Sequence, residues 1–245
     1  MTVSSDRLLG GRVLIQQPRQ GYRVAIDPVL LAASVPISAG QRALDLGCGV
    51  GAAGLCLLAR VPGAIVLGVE IDPDMASLAD ANGLANGYEA GQFTVICADV
   101  VTQAKAATDI DHVLMNPPFH DVGSTRSSRA QRDRATHGGD DLPIWLDVAY
   151  HRLKHRGSLS LIWPSARLSF AVAAIAKRFG SLKILPIWPR EGAPAKRVML
   201  QAVKGGRAPE ALLAGLVLHG AANGYTDAAE AILRDAAALN WKDRA

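Results

Sequence analysis

The chain has 245 residues, 49% hydrophobic and 20% charged, which is enough apolar surface to bury a substantial core. A net charge of +4 permits a polyanionic partner without requiring one. The N-terminus lacks a basic segment followed by an apolar core, and no apolar run reaches membrane-spanning length. The three cysteines lack metal-ligand spacing, so we expect a cytoplasmic protein without a metal site or disulfide framework.

Two features mark the N-terminal part of the chain. Residues 7–18 contain two short apolar runs around Gly10-Gly11, which predicts a β-hairpin. A helix is then expected over residues 29–34, with Asp27 as its N-cap and Pro28 at its first position. The breaker at residues 36–40 separates this short extension from the rest of the chain.

From residue 42 onward, short apolar runs alternate with helical segments. The runs predict strands at 42–46, 65–70, 93–98, 111–115 and 157–163. The intervening segments predict helices at about 51–60, 73–86, 141–154 and 165–179. Asp72, just before Pro73, is the expected cap of the second of these helices. Such alternation is typical of a Rossmann-like, doubly wound and mostly parallel α/β sheet.

The last part of the chain departs from this alternation. Residues 182–187 and 197–203 have strand character without a long helix between them. We therefore expect an antiparallel hairpin at one edge of a seven-stranded sheet. Residues 226–239 predict a final helix with Thr226 or Asp227 as its cap.

A glycine-rich turn follows the first strand of the alternating region. Residues 43–51 read as a hydrophobic strand that passes through Gly47, Gly49 and Gly51 into a helix. Glycines at these positions allow positive φ and close approach of a ligand to the helix N-terminus. Together with Gly54 they also match the dinucleotide fingerprint, which is weak evidence by itself.

Three acidic residues lie at the ends of the first three strands of this region: Asp45, Glu70 and Asp99. In a parallel sheet these ends are neighbours, so the carboxylates would surround one pocket and repel a pyrophosphate. They suit a cationic nucleoside without phosphate, namely S-adenosylmethionine. We expect Glu70 to accept hydrogen bonds from the ribose hydroxyls and Asp99 from the adenine amino group. Asp45 would orient the amino-acid end, directly or through water.

The tetrapeptide Asn116-Pro117-Pro118-Phe119 follows the apolar run 113–115. A buried strand that ends in Pro-Pro is forced into a rigid, extended corner. That corner offers the Asn116 carboxamide oxygen, the Pro117 carbonyl and the Phe119 ring, our candidate catalytic groups. Two acceptors beside an aromatic ring suit an amino nitrogen conjugated to a planar group, because they hold both N–H bonds and aim the lone pair.

An arginine-rich segment follows this corner. Residues 120–140 lack apolar periodicity and carry Arg126, Arg129, Arg132 and Arg134. One interpretation is a solvated loop. The other is a mobile loop that binds substrate, because loops at strand carboxyl ends build α/β active sites. Further basic residues that could add phosphate contacts are Arg12, Arg19, Arg23, Lys196 and Arg197.

With both motifs in place, the sequence resembles the class I S-adenosylmethionine-dependent methyltransferases. The segment Asp45-Leu-Gly-Cys-Gly-Val-Gly is similar to their first motif, and Asn116-Pro-Pro-Phe to the signature of those that act on amino groups. Over nearly the whole chain the sequence looks like the bacterial valine-tRNA adenine-N6 methyltransferase family. The segments that carry this closer resemblance are 9–12, 17–18, 21–33, 186–198, 204–205, 216–219 and 224–226.

The resemblance implies methyl transfer from S-adenosylmethionine to N6 of the adenine 3′ of the anticodon in a valine tRNA, with S-adenosylhomocysteine as the second product. It also implies that the segment from Tyr22 to Leu31 covers the methionine end of the cofactor. We therefore divide the chain into an N-terminal extension, residues 1–40, and a methyltransferase domain, residues 41–245. The complete expected cofactor set is Asp45, Gly47, Gly49, Gly51, Glu70, Ile71, Asp99, Val100 and Asn116.

Three alternatives stay open from the sequence. The same corner could hold guanine N2 of ribosomal RNA or the glutamine amide of a protein. A non-catalytic Rossmann module that binds a nucleotide or RNA is the third. The glutamine enzymes usually carry a helical N-terminal substrate domain, and the short leader here has β character. The sequence does not specify an oligomeric state.

Overall fold

A central β-sheet with helices on both faces organises the protein. The computed structural model describes residues 2–20, 23–103, 108–118, 141–220 and 224–242. Within these ranges the strands are β1 (Val3–Leu8), β2 (Val13–Pro18), β3 (Arg42–Leu46), β4 (Ile65–Glu70), β5 (Phe93–Cys97), β6 (Ile110–Met115), β7 (Leu153–Pro164), β8 (Gly180–Arg190), β9 (Arg197–Val203), β10 (Ala211–Leu212) and β11 (Leu216–His219). The helices are α1 (Asp27–Ser34), α2 (Ala52–Arg60), α3 (Pro73–Ala85), α4 (Val100–Gln103), α5 (Leu142–Arg152), α6 (Leu168–Ala176) and α7 (Asp227–Leu233).

The main sheet contains nine of the described strands, in the order β10-β8-β9-β7-β6-β3-β4-β5 with β11 also paired to β8. Strands β3 to β7 pair in parallel, whereas β9 is antiparallel to both of its neighbours, β7 and β8. The carboxyl ends of β3 to β8 and the start of β9 therefore lie at one edge of the sheet, which we call the carboxyl edge. The expected doubly wound α/β architecture is confirmed.

The predicted antiparallel hairpin forms from β8 and β9, and it is longer than expected because β8 extends to Arg190. The outer side of β8 then pairs in parallel with two short strands, β10 and β11. These two strands account for the difference between the seven strands expected and the nine observed. They arise where residues 211–219 return along an otherwise open sheet edge.

Two apolar clusters cover the faces of the sheet. One joins α1, α2, α7 and β2, and the other joins α5 and α6. Both faces are covered, so the central strands have continuous apolar sequences, and Val113 and Leu114 in β6 contribute to opposite clusters. None of the described helices is long and apolar enough to cross a membrane.

The N-terminal hairpin β1–β2 forms a separate two-stranded sheet that docks on α3. Two asparagines four residues apart on α3, Asn82 and Asn86, provide the contact. The Asn86 carboxamide accepts from the Leu14 N–H at 2.8 Å and donates to the Leu14 carbonyl at 2.7 Å. Asn82 makes the same pair of bonds with Gln16, at 2.8 and 3.0 Å. Side chains at i and i+4 lie on one helix face, so the two side-chain amides pair with the β2 backbone as the main chain of a third strand would.

Two local predictions near the ends of the chain were wrong. Asp27 does not cap α1; the N-cap is Ile26, and the Asp27 carboxylate instead accepts from Arg197 Nε at 3.1 Å. Thr226 caps α7 as expected, but the helix ends at Leu233 rather than at residue 239. The tail turns back to α1, where the Trp241 indole N–H donates to the Ser34 carbonyl at 2.8 Å.

Candidate functional site

Apart from Asn116, the residues predicted to bind the cofactor lie at or just after the ends of three adjacent strands. β4 pairs with β3 on one side and with β5 on the other, and the register aligns Glu70 with Cys97. The turn that begins at Gly47 and the acidic residues Glu70 and Asp99 therefore meet at the carboxyl edge. We call the ends of β3, β4 and β5 the donor half of this edge.

The glycine turn connects β3 to α2 across the end of β4. The Gly47 and Cys48 N–H groups both donate to the Val69 carbonyl, at 2.8 and 3.1 Å, which fixes the turn on the sheet. Gly47, Gly49 and Gly51 all have positive φ, as their expected role requires. A Cβ added at Gly49 would point into open space with no heavy atom within 4 Å, so the chain leaves room for a ligand there.

Glu70 joins the turn to the end of β4 through both carboxylate oxygens. Its Oε2 accepts from the Gly49 N–H at 2.9 Å, and its Oε1 accepts from the Asp72 N–H at 2.9 Å. A carboxylate has about four acceptor positions, so each oxygen can still accept one more hydrogen bond. Glu70 is therefore held in place by the backbone and can accept from two hydroxyl groups. Asp72 caps α3 as predicted, by accepting from the Asp74 and Met75 N–H groups.

Asp45 is buried, with 2% of its surface exposed, and its Oδ2 accepts from the Gly54 N–H in the first turn of α2 at 3.2 Å. Burial raises the pKa of this carboxyl from 3.8 to about 7; the Gly54 hydrogen bond opposes the shift and the Glu70 charge adds to it. The structure thus places Asp45 beneath the start of the helix. Its proton equilibrium lies near neutral pH, where a nearby cation would favour the ionised form.

Asp99, Ile71 and Val100 surround the ends of β4 and β5. The Asp99 Oδ1 accepts from the Val101 N–H at 2.7 Å, which leaves its other oxygen available at the start of α4. Ile71 exposes 56% of its surface next to Glu70, as an apolar side chain that packs against a flat ring would do before the ring binds. The Val100 side chain is buried in the core, so its backbone is the part that can contact a ligand.

Asn116 and Pro117 lie beside the donor half. Leu46 at the end of β3 aligns with Met115 at the end of β6, so Asn116 follows directly beside Gly47. Asn116 is half-buried and Pro117 is buried. Phe119 and the arginines of the predicted loop lie outside the described residues, as does Tyr22. Those arginines are Arg126, Arg129, Arg132 and Arg134.

Comparison with known proteins identifies the family. The pattern of the methyltransferase small domain matches residues 24–185. A tRNA1(Val) (adenine(37)-N6)-methyltransferase of Dickeya chrysanthemi is 30% identical over 90% of both chains, and one of Shewanella loihica is 32% identical over 64% of this chain and 66% of its own. The chain belongs to the methyltransferase small domain family. A solved structure from Agrobacterium tumefaciens, described as a predicted O-methyltransferase, has a TM-score of 0.71 at 30% identity and covers 87% of this chain and 98% of its own.

The methyl donor of this methyltransferase is S-adenosylmethionine, and the donor half has the groups to hold it. The open space beside Gly49 can receive the ligand, Glu70 can accept from ribose hydroxyls, and Ile71 can cover a ring. No phosphate is present in this donor, so the acids do not oppose its binding. Among the described residues, no group of three or more His, Cys, Asp or Glu side chains could hold a metal ion.

Two residues that support the glycine turn of this methyltransferase, Trp145 and Asn82, were not predicted from the sequence. A Cβ at Gly47 would lie 2.7 Å from Cη2 of Trp145, so the indole ring of Trp145 packs directly on the Gly47 backbone. Trp145 is in the first turn of α5, the next helix after β6 in the part of the chain that the structure describes. On the other side of the turn, Asn82 donates to the Val50 carbonyl at 2.9 Å. Only the place of α5 in the chain could have indicated the Trp145 contact, because a helix that follows a parallel strand of an α/β sheet starts at the carboxyl edge.

The histidine closest in sequence to the Asn-Pro-Pro corner, among the described residues, has a structural role. His112 lies near the start of β6, where Nδ1 is 2.8 Å from Ser158 Oγ and Nε2 is 3.2 Å from Gln41 Oε1. Burial lowers its pKa from 6.5 to about 4, so the ring is neutral at physiological pH. The sequence-based interpretation of His112 as a strand residue agrees with this position.

Proposed function

We propose that this methyltransferase transfers a methyl group to the exocyclic N6 of an adenine in RNA, namely the anticodon-loop adenine of a valine tRNA. The observation that carries the proposal is the position of Asn116 and Pro117 directly beside the Gly47 turn. The relatives named for methylation of adenine 37 in tRNA1(Val) support the substrate. Because tRNA is processed there, we expect the enzyme to act in the cytoplasm.

The Asn116-Pro117 corner supplies two acceptors for the amino group. The lone pair of an adenine N6 is delocalised into the ring, so the free base is a weak nucleophile. The Asn116 carboxamide oxygen and the Pro117 carbonyl would accept its two N–H bonds and turn the lone pair out of the ring plane. Phe119, three residues after Asn116, is the predicted stacking partner for the base.

The remaining work of the site is alignment and exclusion of water. When bound, S-adenosylmethionine supplies a methyl group made electrophilic by its sulfonium. Glu70 and the glycine turn would hold the donor while Asn116 fixes the acceptor, and such alignment provides much of the rate enhancement in a two-substrate displacement. The amine proton can leave to water afterwards, so no histidine base is required.

The adenine must leave its stack to reach the corner. Enzymes that act on a base within folded nucleic acid extrude it into the active site, at a cost of a few kcal/mol. Anticodon-loop bases are already partly unstacked, so their extrusion costs less. This favours a loop adenine over one in a helix. The arginines at positions 126, 129, 132 and 134 remain predicted substrate contacts.

We also propose that the N-terminal extension, residues 1–40, covers the cofactor site of the domain over residues 41–245. The start of α1 supports this arrangement, because Asp27 pairs with Arg197, which begins β9 at the carboxyl edge. Ile26, directly before α1, therefore lies at the same edge as the glycine turn.

Incubation with tritiated S-adenosylmethionine and total tRNA, followed by nucleoside analysis, tests the function. We expect label in N6-methyladenosine, and loss of that label when valine tRNA is removed from the pool. Label in N2-methylguanosine of ribosomal RNA, or in a protein glutamine, would replace the proposed substrate with one of the alternatives. Binding of RNA without transfer of label would support the non-catalytic module.

A further inference from the structure

The charge on the carboxyl edge changes sign at β6. On the donor half the edge carries Asp45, Glu70 and Asp99. On the other side of β6, which we call the acceptor half, the strand ends carry cations. These cations are Arg167 after β7, Arg190 at the end of β8, and Lys196 and Arg197 at the start of β9. Asn116 lies between the two halves.

Two of these cations are available to a ligand. Arg190 and Lys196 are exposed at the two ends of the turn that joins β8 to β9, and neither side chain has an ion pair with any residue that the structure describes. Arg197 pairs with Asp27, and Arg167 lies over the Trp163 and Phe170 rings. Glu191 is exposed in the same turn, so the net charge of Arg190, Glu191 and Lys196 together is +1.

The turn is held against the end of β7. The Ser165 N–H donates to the Lys196 carbonyl at 3.2 Å, and its hydroxyl donates to the Ala195 carbonyl. A further bond joins the Ala193 N–H to the Arg190 carbonyl at 3.2 Å. The backbone that carries the two cations is thus fixed relative to the sheet. Binding at this turn would lose little conformational entropy beyond that of the two side chains.

The other basic residues named from the N-terminal part of the sequence have partners within the protein. Arg23 pairs with Asp6 at 2.8 Å, and Arg12 donates to the Arg234 carbonyl. The Arg19 Nε donates to the Val3 carbonyl at 3.0 Å. Lys196 is therefore the member of that set whose charge is exposed at the carboxyl edge without such a contact.

We infer that the β8–β9 turn binds the phosphate backbone of the RNA whose base enters at Asn116, an inference that rests on the proposed function. A polyanion is repelled by the donor half, so its backbone must lie on the acceptor half. Three strand spacings separate β6 from β8, which is about 14 Å. Arg190 and Lys196 therefore contact phosphates away from the reacting base and contribute affinity without base specificity.

The test compares two doubly substituted enzymes with equal loss of charge. R190S/K196S removes the cations of the turn. K177S/R207S removes two exposed cations from the opposite edge, where Lys177 follows α6 and Arg207 follows β9, and neither of these has an ion pair within the described ranges. For each enzyme we would measure tRNA binding across a range of KCl concentrations, steady-state kinetics with a valine tRNA transcript, and cofactor affinity by calorimetry.

For R190S/K196S we expect the slope of log K against log [KCl] to shrink by about two, and KM for tRNA to rise roughly tenfold. The kcat and the dissociation constant of S-adenosylmethionine should match the wild type, because neither side chain is in the donor half. R190K/K196R, which keeps both charges, should restore the slope. K177S/R207S should behave as the wild type.

An unchanged slope in R190S/K196S, or an equal loss in K177S/R207S, would overturn the inference. Failure of the proposed function has a different signature. In that case wild-type enzyme gives no N6-methyladenosine with tRNA, whatever the state of the turn.

Discussion

The donor and acceptor halves of the carboxyl edge hold charge in different ways. In the donor half, each carboxylate accepts hydrogen bonds from backbone N–H groups. Asp45 accepts from Gly54, Glu70 accepts from Gly49 and Asp72, and Asp99 accepts from Val101. In the acceptor half, Arg190 and Lys196 are exposed to solvent at a turn that is hydrogen-bonded to Ser165 after β7. The difference matches the ligands. A small cation requires a few fixed acceptors, whereas a long polyanion is held by several exposed charges whose effects add and depend on salt.

The largest effect is expected at Asn116, which lies between the donor half and the acceptor half. Asn116→Ala removes the carboxamide that accepts from the substrate amine, so we expect methyl transfer to fall by about 100-fold or more. The affinity for S-adenosylmethionine should fall far less, because Asn116 is one of nine residues expected to contact the cofactor and the other eight remain. Tritium transfer and calorimetry measure the two quantities on the same preparation. Loss of cofactor binding in this variant would assign Asn116 to the donor half instead.

Glu70→Ala should have the opposite pattern. It removes the acceptor for two ribose hydroxyls and for the Gly49 and Asp72 amides, so cofactor binding should weaken by ~1–3 kcal/mol. Binding of tRNA, measured without cofactor, should not change. Glu70→Gln keeps one acceptor oxygen and should fall between the wild type and the alanine variant. A dissociation constant equal to that of the wild type would remove Glu70 from the cofactor site.

Asp45 makes the donor half sensitive to pH. Its pKa of about 7 lies above the ordinary 3.8, so the unfolded chain ionises first as pH rises. Asp45 should therefore lower the free energy of unfolding of the cofactor-free enzyme by a few kcal/mol between about pH 4 and pH 7, whereas His112, whose pKa is lowered to about 4, raises it over much of the same range. The difference between the wild type and Asp45→Asn isolates the Asp45 contribution, as chemical denaturation at each pH would measure.

Cofactor binding should depend on pH in the reverse sense. Ionised Asp45 attracts a cation, so the affinity for S-adenosylmethionine should rise several-fold as pH increases through about 7. The Asp45→Asn variant retains any titration of the ligand itself, so the difference between the two enzymes isolates Asp45. If the affinity for S-adenosylmethionine depends on pH in the same way in both enzymes, Asp45 supports the start of α2 and does not interact with the bound ligand.

The smallest effect is expected at Trp145, which joins the glycine turn to α5. Trp145→Ala should remove the support of Gly47 and raise the cofactor dissociation constant several-fold, together with a lower Tm. Trp145→Phe keeps an aromatic ring and should retain most of the affinity. If Tm falls while the dissociation constant is unchanged, Trp145 stabilises the fold without positioning the turn.

The two halves also differed in how far the sequence predicted them. The strands β3 and β4 begin and end where expected, because their apolar runs are bounded by polar residues and by glycines. Asp72 caps α3 as expected, since its partners are two and three residues away. Residues only a few positions apart determine these strand ends and this helix cap. The donor half consists almost entirely of such local features, so the sequence predicted it well.

Features that depend on distant segments were harder to predict. Asp27 has the sequence of a cap, but Arg197, 170 residues away, binds its carboxylate. The final helix has the alanines to continue, yet Leu239 donates to Ala33 and ends it early. The contact between Trp145 and Gly47 joins elements almost 100 residues apart. A single sequence does not show which distant partner will be present.

The docking of the hairpin on α3 has a consequence for how this enzyme can vary. On β2, Asn82 and Asn86 bind main-chain atoms of Leu14 and Gln16 and no side chain. The partly exposed side chains at these two positions are therefore free to change, whereas Val13 and Ile15 are buried in the core and each asparagine must stay at its own place on the helix. Deletion of one residue between them would rotate the second amide by about 100° around the helix axis, away from the strand. Homologous chains should thus tolerate substitutions at Leu14 and Gln16 and resist any change in the length of this helical turn.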